Sequence, residues 1–309
     1  MSGLISKVDL IVVLGCTATG KTNVAVNLAA KCSGEIISAD SRQVYRGMDV
    51  GTGKDISEFN VGGKVIPHHL IDIVDAGEEY NVFKYQKDFL TAFEGIQQRK
   101  NKAILCGGTG MYLEAVLKGY RLLNIPENVE LRERLENKTN EELLAELTAL
   151  KKLHNTTDSI ERHRLVRSME IAVFEIDNKD LISDYPQIEA TIFGINFERE
   201  IIRERITKRL KHRLKHEGMI EEVEGLIKSG VNPEKLKFYG LEYKLITQFL
   251  LGEIDRPAMF NQLNIAIHQF SKRQATWFRK MERNGFEINW IDGNLPLEEK
   301  VEIITRHCE

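Results

Sequence analysis

Near the start of the chain lies an apolar run, Val8-Asp-Leu-Ile-Val-Val-Leu14, interrupted only at Asp9 and rich in β-branched residues. So short and so apolar a run predicts a strand buried on both faces. Glycines follow at 15 and 20, and apolar residues then recur at helical spacing from Asn23 to Lys31. Glu35 to Asp40 and Ala103 to Cys106 are further strand-like runs, the second leading into Gly107-Gly108. Between them Val82 to Gln98 sets Phe83, Phe89, Leu90 and Phe93 along one helical face. Strands alternating with helices predict an α/β domain whose parallel sheet is covered on both sides. After Pro126 the texture changes. From Glu127 to about Asp184 the chain is charged, helical in pattern and free of Gly and Pro. Thr191 to Phe197 returns to strand composition, so 127–185 reads as a helical insertion into a core formed by 1–126 and 186–309. Helices are expected at about 198–217, 219–229, 239–251 and 257–282, with a last strand within 286–291.

Composition narrows this little. Of 309 residues, 42% are hydrophobic and 29% charged, enough apolar material for a sizeable core plus a subdomain. The first residues lack the apolar stretch of a signal peptide, and no run is long enough to cross a bilayer. A cytoplasmic protein without membrane contact is therefore expected, and a monomer. Cys16, Cys32, Cys106 and Cys308 lie far apart with no CxxC pair, which predicts free thiols and no zinc site. A net charge of −3 does not announce a nucleic-acid binder. The average conceals one basic segment, however, since Arg199 to His216 holds eight Lys/Arg, two His and two acids.

The chemistry is announced by Gly15, Cys16, Thr17, Ala18, Thr19, Gly20, Lys21 and Thr22, which satisfy GxxxxGK[ST]. Such a loop wraps its backbone N–H groups around phosphate oxygens, with Lys21 adding charge and Thr22 a hydroxyl for Mg²⁺. The motif lies between a predicted strand and a predicted helix, the context it requires. The fold class is accordingly a P-loop NTPase-like α/β sheet with a helical insertion. The loop alone names no reaction: a small-molecule kinase using ATP would carry it too. Asn178-Lys179-Asp180 lacks the spacing of a guanine-reading motif, and Asp40 is the one good strand-end acid. Ligands of parallel sheets gather at the carboxyl ends of strands, so Asp40, Thr109 and the loop are expected around one pocket, unless Asp40 merely caps a helix.

Longer strings are more specific. Ile36 to Thr52 reads IISADSRQVYRGMDVGT, Pro67 to Asp72 reads PHHLID, Gly107 to Tyr112 reads GGTGMY, and Lys272 to Arg279 reads KRQATWFR. With the glycine loop, these five strings resemble, in order, those of the tRNA dimethylallyltransferase (tRNA isopentenyltransferase) family, over nearly the whole chain. The resemblance implies transfer of dimethylallyl from dimethylallyl diphosphate to the exocyclic amine of the adenosine 3′ of the anticodon, assisted by Mg²⁺. It implies a diphosphate on residues 15–22, Asp40 as general base, Thr109 on the leaving phosphate and Arg213 gripping the pyrophosphate. It implies that the tRNA anticodon stem-loop contacts Asp40, Ser41, Arg42, Gln43, Arg132, His163, Arg164, Leu165, Val166, Arg167, Lys272 and Arg273. Trp277 and Phe278 are expected in the core. Cys16 stands where the family usually has proline, and Arg42 where it has methionine. The segment from Tyr239 to Lys244 departs from the common IGYKE form. No Cys/His zinc extension is present, as in the bacterial type.

Overall fold

The structure is a computed structural model and describes residues 9–150, 161–178 and 185–307. Val8, Cys308, Lys179, Asp180 and the insertion segments 151–160 and 181–184 lie outside the described residues. The chain divides into two compact units, Met1–Gly119 with Gln187–Glu309, and Tyr120–Pro186. The boundary thus falls before Tyr120, not after Pro126.

In the larger unit the chain runs β1 (Leu10–Gly15), α1 (Lys21–Cys32), β2 (Gly34–Ala39), a hairpin of β3 (Asn60–Val61) and β4 (Lys64–Val65), and β5 (His68–His69). Then come α2 (Val82–Gln98), β6 (Lys102–Gly107) and α3 (Gly110–Leu117). The smaller unit holds α4 (Val129–Leu135), α5 (Asn140–Leu150) and α6 (Arg162–Asp177). The larger unit resumes with β7 (Ala190–Asn196), α7 (Arg199–His216), α8 (Met219–Lys228), α9 (Pro233–Leu236), α10 (Leu241–Leu250), α11 (Arg256–Arg283), β8 (Ile288–Asp292) and α12 (Leu297–Thr305). The hairpin, β5, α3, α9 and α12 were not expected; α4, α5 and α6 lie within the expected helical insertion, and the other elements fall within a few residues of their predicted places.

The main sheet is parallel throughout, in the order β5-β2-β6-β1-β7-β8. Alternation along β1 explains its two covers. Leu10, Val12 and Leu14 face a core with Tyr85 and Phe89 of α2, Leu113 of α3 and Phe278 of α11. Ile11 and Val13 face the other side, with Val24 and Leu28 of α1 and Ile304 of α12. Burying each such side chain contributes about 1.5–3 kcal/mol, so the strand is held in register from both faces. A third core joins Val44 and Met48 to α7, α8, α10 and α11. The smaller unit has its own core of Leu131, Leu135, Leu143, Leu147, Leu165 and Met169.

Strand order places the chemistry. Because β6 lies between β2 and β1, with Ala39 opposite Gly107 and Leu14 opposite Gly107 from the other side, three strand ends converge. The packing there leaves no room for side chains: a Cβ on Gly107 would sit 2.3 Å from the Ala39 carbonyl oxygen.

Candidate active site

A cavity of about 380 Å³ opens at those strand ends. Thr17, Ala18, Gly20, Lys21 and Thr22 line it from the glycine loop, Asp40 to Gln43 from beyond β2, and Thr109 from beyond β6. Arg209 and Arg213 of α7, Leu241 and Glu242 of α10, and Phe270, Arg273 and Gln274 of α11 close it. The loop takes a left-handed turn at Ala18 (φ 65°) and Gly20 (φ 78°). Thr19 is buried and its hydroxyl donates to the Cys16 carbonyl at 2.9 Å, so this side chain shapes the loop and does not face a ligand. The first turn of α1 has no side-chain cap, which leaves its N–H groups for an anion.

Asp40 is not a helix cap. Its Oδ1 accepts the Arg42 N–H at 2.9 Å and fixes the turn after β2, so its second oxygen is the one that can act on a ligand. Thr109 is tied to the same turn: its N–H donates to the Ala39 carbonyl at 3.1 Å, and its hydroxyl accepts the Ser41 N–H at 3.1 Å. The hydroxyl's own proton makes only a 3.5 Å contact with Ser41 Oγ. Gln43 spends both ends of its amide internally, accepting from Ser38 Oγ and donating to the Gly53 carbonyl. The Cys16 thiol donates to the Ser271 carbonyl, and burial pushes its pKa up, so it stays neutral.

Three arginines on one face of α7 reach this region. Arg205 donates to the Ala18 carbonyl at 2.8 Å, and Arg209 donates to the Thr17 hydroxyl. Arg213 is buried, and its Nη2 is held by both oxygens of Asp55 at 2.8 Å. The arginine expected to grip pyrophosphate thus has a carboxylate partner, whereas Arg209, one turn earlier, lies against the glycine loop. Desolvation, and then the neighbouring Arg213 charge, pull the Arg209 pKa down to about 10. Burial also pushes the carboxyls of Glu58 and Glu242 up towards their neutral forms. Cations in a low-dielectric cavity with weakened counter-charges make a site for a polyanion.

The family model for IPP transferase matches residues 43–281, and that for isopentenyl transferase matches residues 8–63. The chain belongs to the IPP transferase family. It is 53% identical to "tRNA dimethylallyltransferase 2" of Bacteroides fragilis over 298 residues, covering 96% of this chain and 97% of the relative. It is likewise 53% identical to "tRNA dimethylallyltransferase 1" of Parabacteroides distasonis, with the same coverage. Among solved structures, the full-length tRNA isopentenylpyrophosphate transferase of Bacillus halodurans is 30% identical with a TM-score of 0.70, covering 97% of this chain and 95% of that one. A eukaryotic dimethylallyltransferase acting on tRNA shares the fold at 20% identity and a TM-score of 0.73, over 92% of this chain and 73% of that one.

In this family member the expected RNA contacts separate into two groups. Lys272 and Arg273 are exposed on α11, with Arg273 5.9 Å from the centre of the Phe270 ring at the cavity. Ser41 and Arg42 line the cavity. In the smaller unit, His163 and Arg164 are exposed, Arg164 pairing with Glu161 at 3.2 Å. Leu165 is fully buried in that unit's core and Val166 packs against it, so Leu165 cannot touch RNA. Arg132 and Arg167 close on the buried Glu170, each at 2.7 Å. Burial opposes charge on Glu170, but Arg132, Arg167 and the Asn128 N–H together hold its carboxyl below the usual range. Both arginines brace the buried Glu170. The stripe Leu165, Met169, Ala172 at helical spacing was the sequence signal that Leu165 faces inward.

Sequence reasoning missed two residues here. Arg209 could have been found from Ile202, Ile206 and Leu210, the buried stripe of α7, since each is followed three residues later by Arg205, Arg209 or Arg213. Gln274 had no such signal. Trp277 packs against Gly110, where a Cβ would meet its ring at 2.3 Å, and Phe278 is in the core.

Proposed function

We propose that this chain is a tRNA dimethylallyltransferase that moves the five-carbon group of dimethylallyl diphosphate onto the exocyclic amine of the adenosine 3′ of the anticodon. Pyrophosphate leaves as the new carbon–nitrogen bond forms. The observation that carries the reading is one cavity shared by Lys21, Thr22, Asp40, Thr109 and Arg209. It brings phosphate donors and a carboxylate together.

The diphosphate lies on the glycine loop, with Lys21 and the first turn of α1 as donors. Arg209 stabilises the charge that grows on the pyrophosphate as the carbon–oxygen bond breaks, and Arg213 stands behind it. The Thr109 hydroxyl donates to the departing oxygen. Asp40 accepts a proton from the adenine amine, raising its electron density for attack on the allylic carbon. The base has to leave the anticodon-loop stack to reach Asp40. Ser41, Arg42, Lys272 and Arg273 surround that approach, and His163 and Arg164 contact the anticodon stem-loop.

The donor set suits Mg²⁺. Thr22 and Asp40 line one recess, and no cage of three or more acidic, His or Cys side chains exists among the described residues. Mg²⁺ keeps several waters and is held by few protein oxygens plus substrate phosphates, so the Thr22 hydroxyl, with substrate phosphates and water, is sufficient to hold it. When bound, it neutralises diphosphate charge in the ground and transition states. No described helix is long and apolar enough to cross a membrane, and with tRNA as acceptor we place the reaction in the cytoplasm.

The test is direct. The protein is incubated with tRNA, dimethylallyl diphosphate and Mg²⁺, without ATP, and the tRNA is digested to nucleosides. Prenylated adenosine is the expected product, and a requirement for ATP would turn the reading towards a kinase.

A further inference from the structure

Gln274 is a buried polar residue on a helix whose neighbouring Lys272, Arg273 and Thr276 are exposed. Its side chain turns inward, and both ends of the carboxamide are used. Oε1 accepts the Thr17 N–H at 2.8 Å, and Nε2 donates to the Gly108 carbonyl at 3.0 Å. A primary amide offers a strong acceptor and a strong donor side by side at any pH. Gly108 is matched to it, because a Cβ there would come 2.4 Å from Nε2 and 3.0 Å from the Gly15 carbonyl oxygen. The Thr17 N–H is therefore committed to Gln274 and is not one of the loop's phosphate donors.

The two loops joined in this way carry opposite halves of the site. Thr17 belongs to the loop that ends in Lys21 and Thr22. Gly108 precedes Thr109, which is bonded to Ala39 and Ser41 on either side of Asp40. β1 and β6 are paired up to Leu14 and Gly107, and beyond those residues one amide bridges the two turns. A shift of about 1 Å between reacting groups costs about 10²-fold in rate.

We propose that Gln274 is a positioning residue that sets the distance between the diphosphate loop and the Thr109–Asp40 turn, touching neither substrate. This rests on the transfer reaction proposed above. The full-length protein is compared with Gln274→Met, which keeps the length and removes both hydrogen bonds, and with Gln274→Glu, which when ionised sets an acceptor against the Gly108 carbonyl. Single-turnover transfer is measured at saturating tRNA and dimethylallyl diphosphate, with tRNA affinity and melting temperature alongside. Both variants should transfer about 10–100-fold more slowly at unchanged tRNA affinity. The Gln274→Glu rate, divided by the wild-type rate at each pH, should rise as pH falls, because a protonated carboxyl regains the donor. If Gln274 only braces the fold, melting temperatures drop, rates well below melting stay within about twofold, and the ratio is flat with pH; that result overturns the proposal. Should Gln274→Met not fold, the pH ratio of Gln274→Glu decides alone. A wild-type protein that transfers nothing overturns the reaction and the proposal with it, whereas equally active wild type and variants overturn the role of Gln274 only.

Discussion

Two arginine clusters in this molecule use the same side chain in opposite ways. On α7, Arg205 and Arg209 lie beside the glycine loop while Arg213 pairs with Asp55, and Arg209 is desolvated next to the Arg213 charge, which Asp55 and Glu242 offset only in part, so that its pKa falls to about 10. In the smaller unit, Arg132 and Arg167 close on Glu170, and the Arg132 pKa is raised, first by its hydrogen bonds to Glu170. A paired guanidinium has reached its partner and holds structure. A desolvated one short of counter-charge is a standing cost that a bound anion relieves. Basic character in the sequence therefore does not by itself separate a site from a brace; the partner each arginine finds does.

The comparison is broken most severely on the side of the cavity. Asp40→Asn should keep the fold and tRNA affinity while turnover drops by about 10²–10⁴, the usual worth of a positioned base. Steady-state and single-turnover rates measured together would report it, and unchanged turnover would return Asp40 to a turn-fixing role. Thr109→Ala should cost about 10²–10³ in the chemical step, as for a lost donor to a developing oxyanion. A loss confined to tRNA affinity would instead mean that Thr109 serves only to hold Ser41.

How much of this was legible follows from the range of each interaction. β1, the glycine loop and α1 were readable because an apolar run, glycines and a helical period are local signals. So was Asp40, an acid at the end of a strand. The choice between Arg209 and Arg213 was not, because a helix with eight cations does not state which of its faces will meet a loop 190 residues away in sequence. Leu165 was misplaced by attending to a basic string and overlooking the apolar stripe running through it. Gln274 directly follows Lys272 and Arg273, read as RNA contacts, while its two partners, Thr17 and Gly108, are backbone groups that no side-chain pattern reveals.

Smaller effects test the other half of the comparison. Arg167→Ala removes one of the two guanidinium partners of a buried carboxylate. It should destabilise the protein by about 1–3 kcal/mol with little change in transfer rate, as read by denaturant unfolding beside the assay. A larger loss of tRNA affinity than of stability would make Arg167 an RNA contact after all. A carboxylate with comparable partners, Glu35 on β2, is held by Arg99, then Asn101 and His69, at a pKa of about 2. Its pKa is lowered on folding, so its contribution is complete above the ordinary carboxylate range and fades as pH falls through 4.5 towards 2, where the unfolded chain binds the extra proton. Between pH 7 and 3, the melting temperature of Glu35→Gln should fall less steeply than that of the wild type; parallel curves would show that Glu35 is not held as described.

The central claim is that the α7 arginine beside the glycine loop is short of an anion and the arginines around Glu170 are not. Calorimetric titration with pyrophosphate and Mg²⁺, comparing wild type, Arg209→Ala and Arg167→Ala, tests it most directly. A charge-assisted hydrogen bond contributes about 1.5–3 kcal/mol, so Arg209→Ala should bind pyrophosphate about 10–100-fold more weakly, while Arg167→Ala binds it as the wild type does. Equal affinity in wild type and Arg209→Ala, or an equal loss in both variants, would contradict the account.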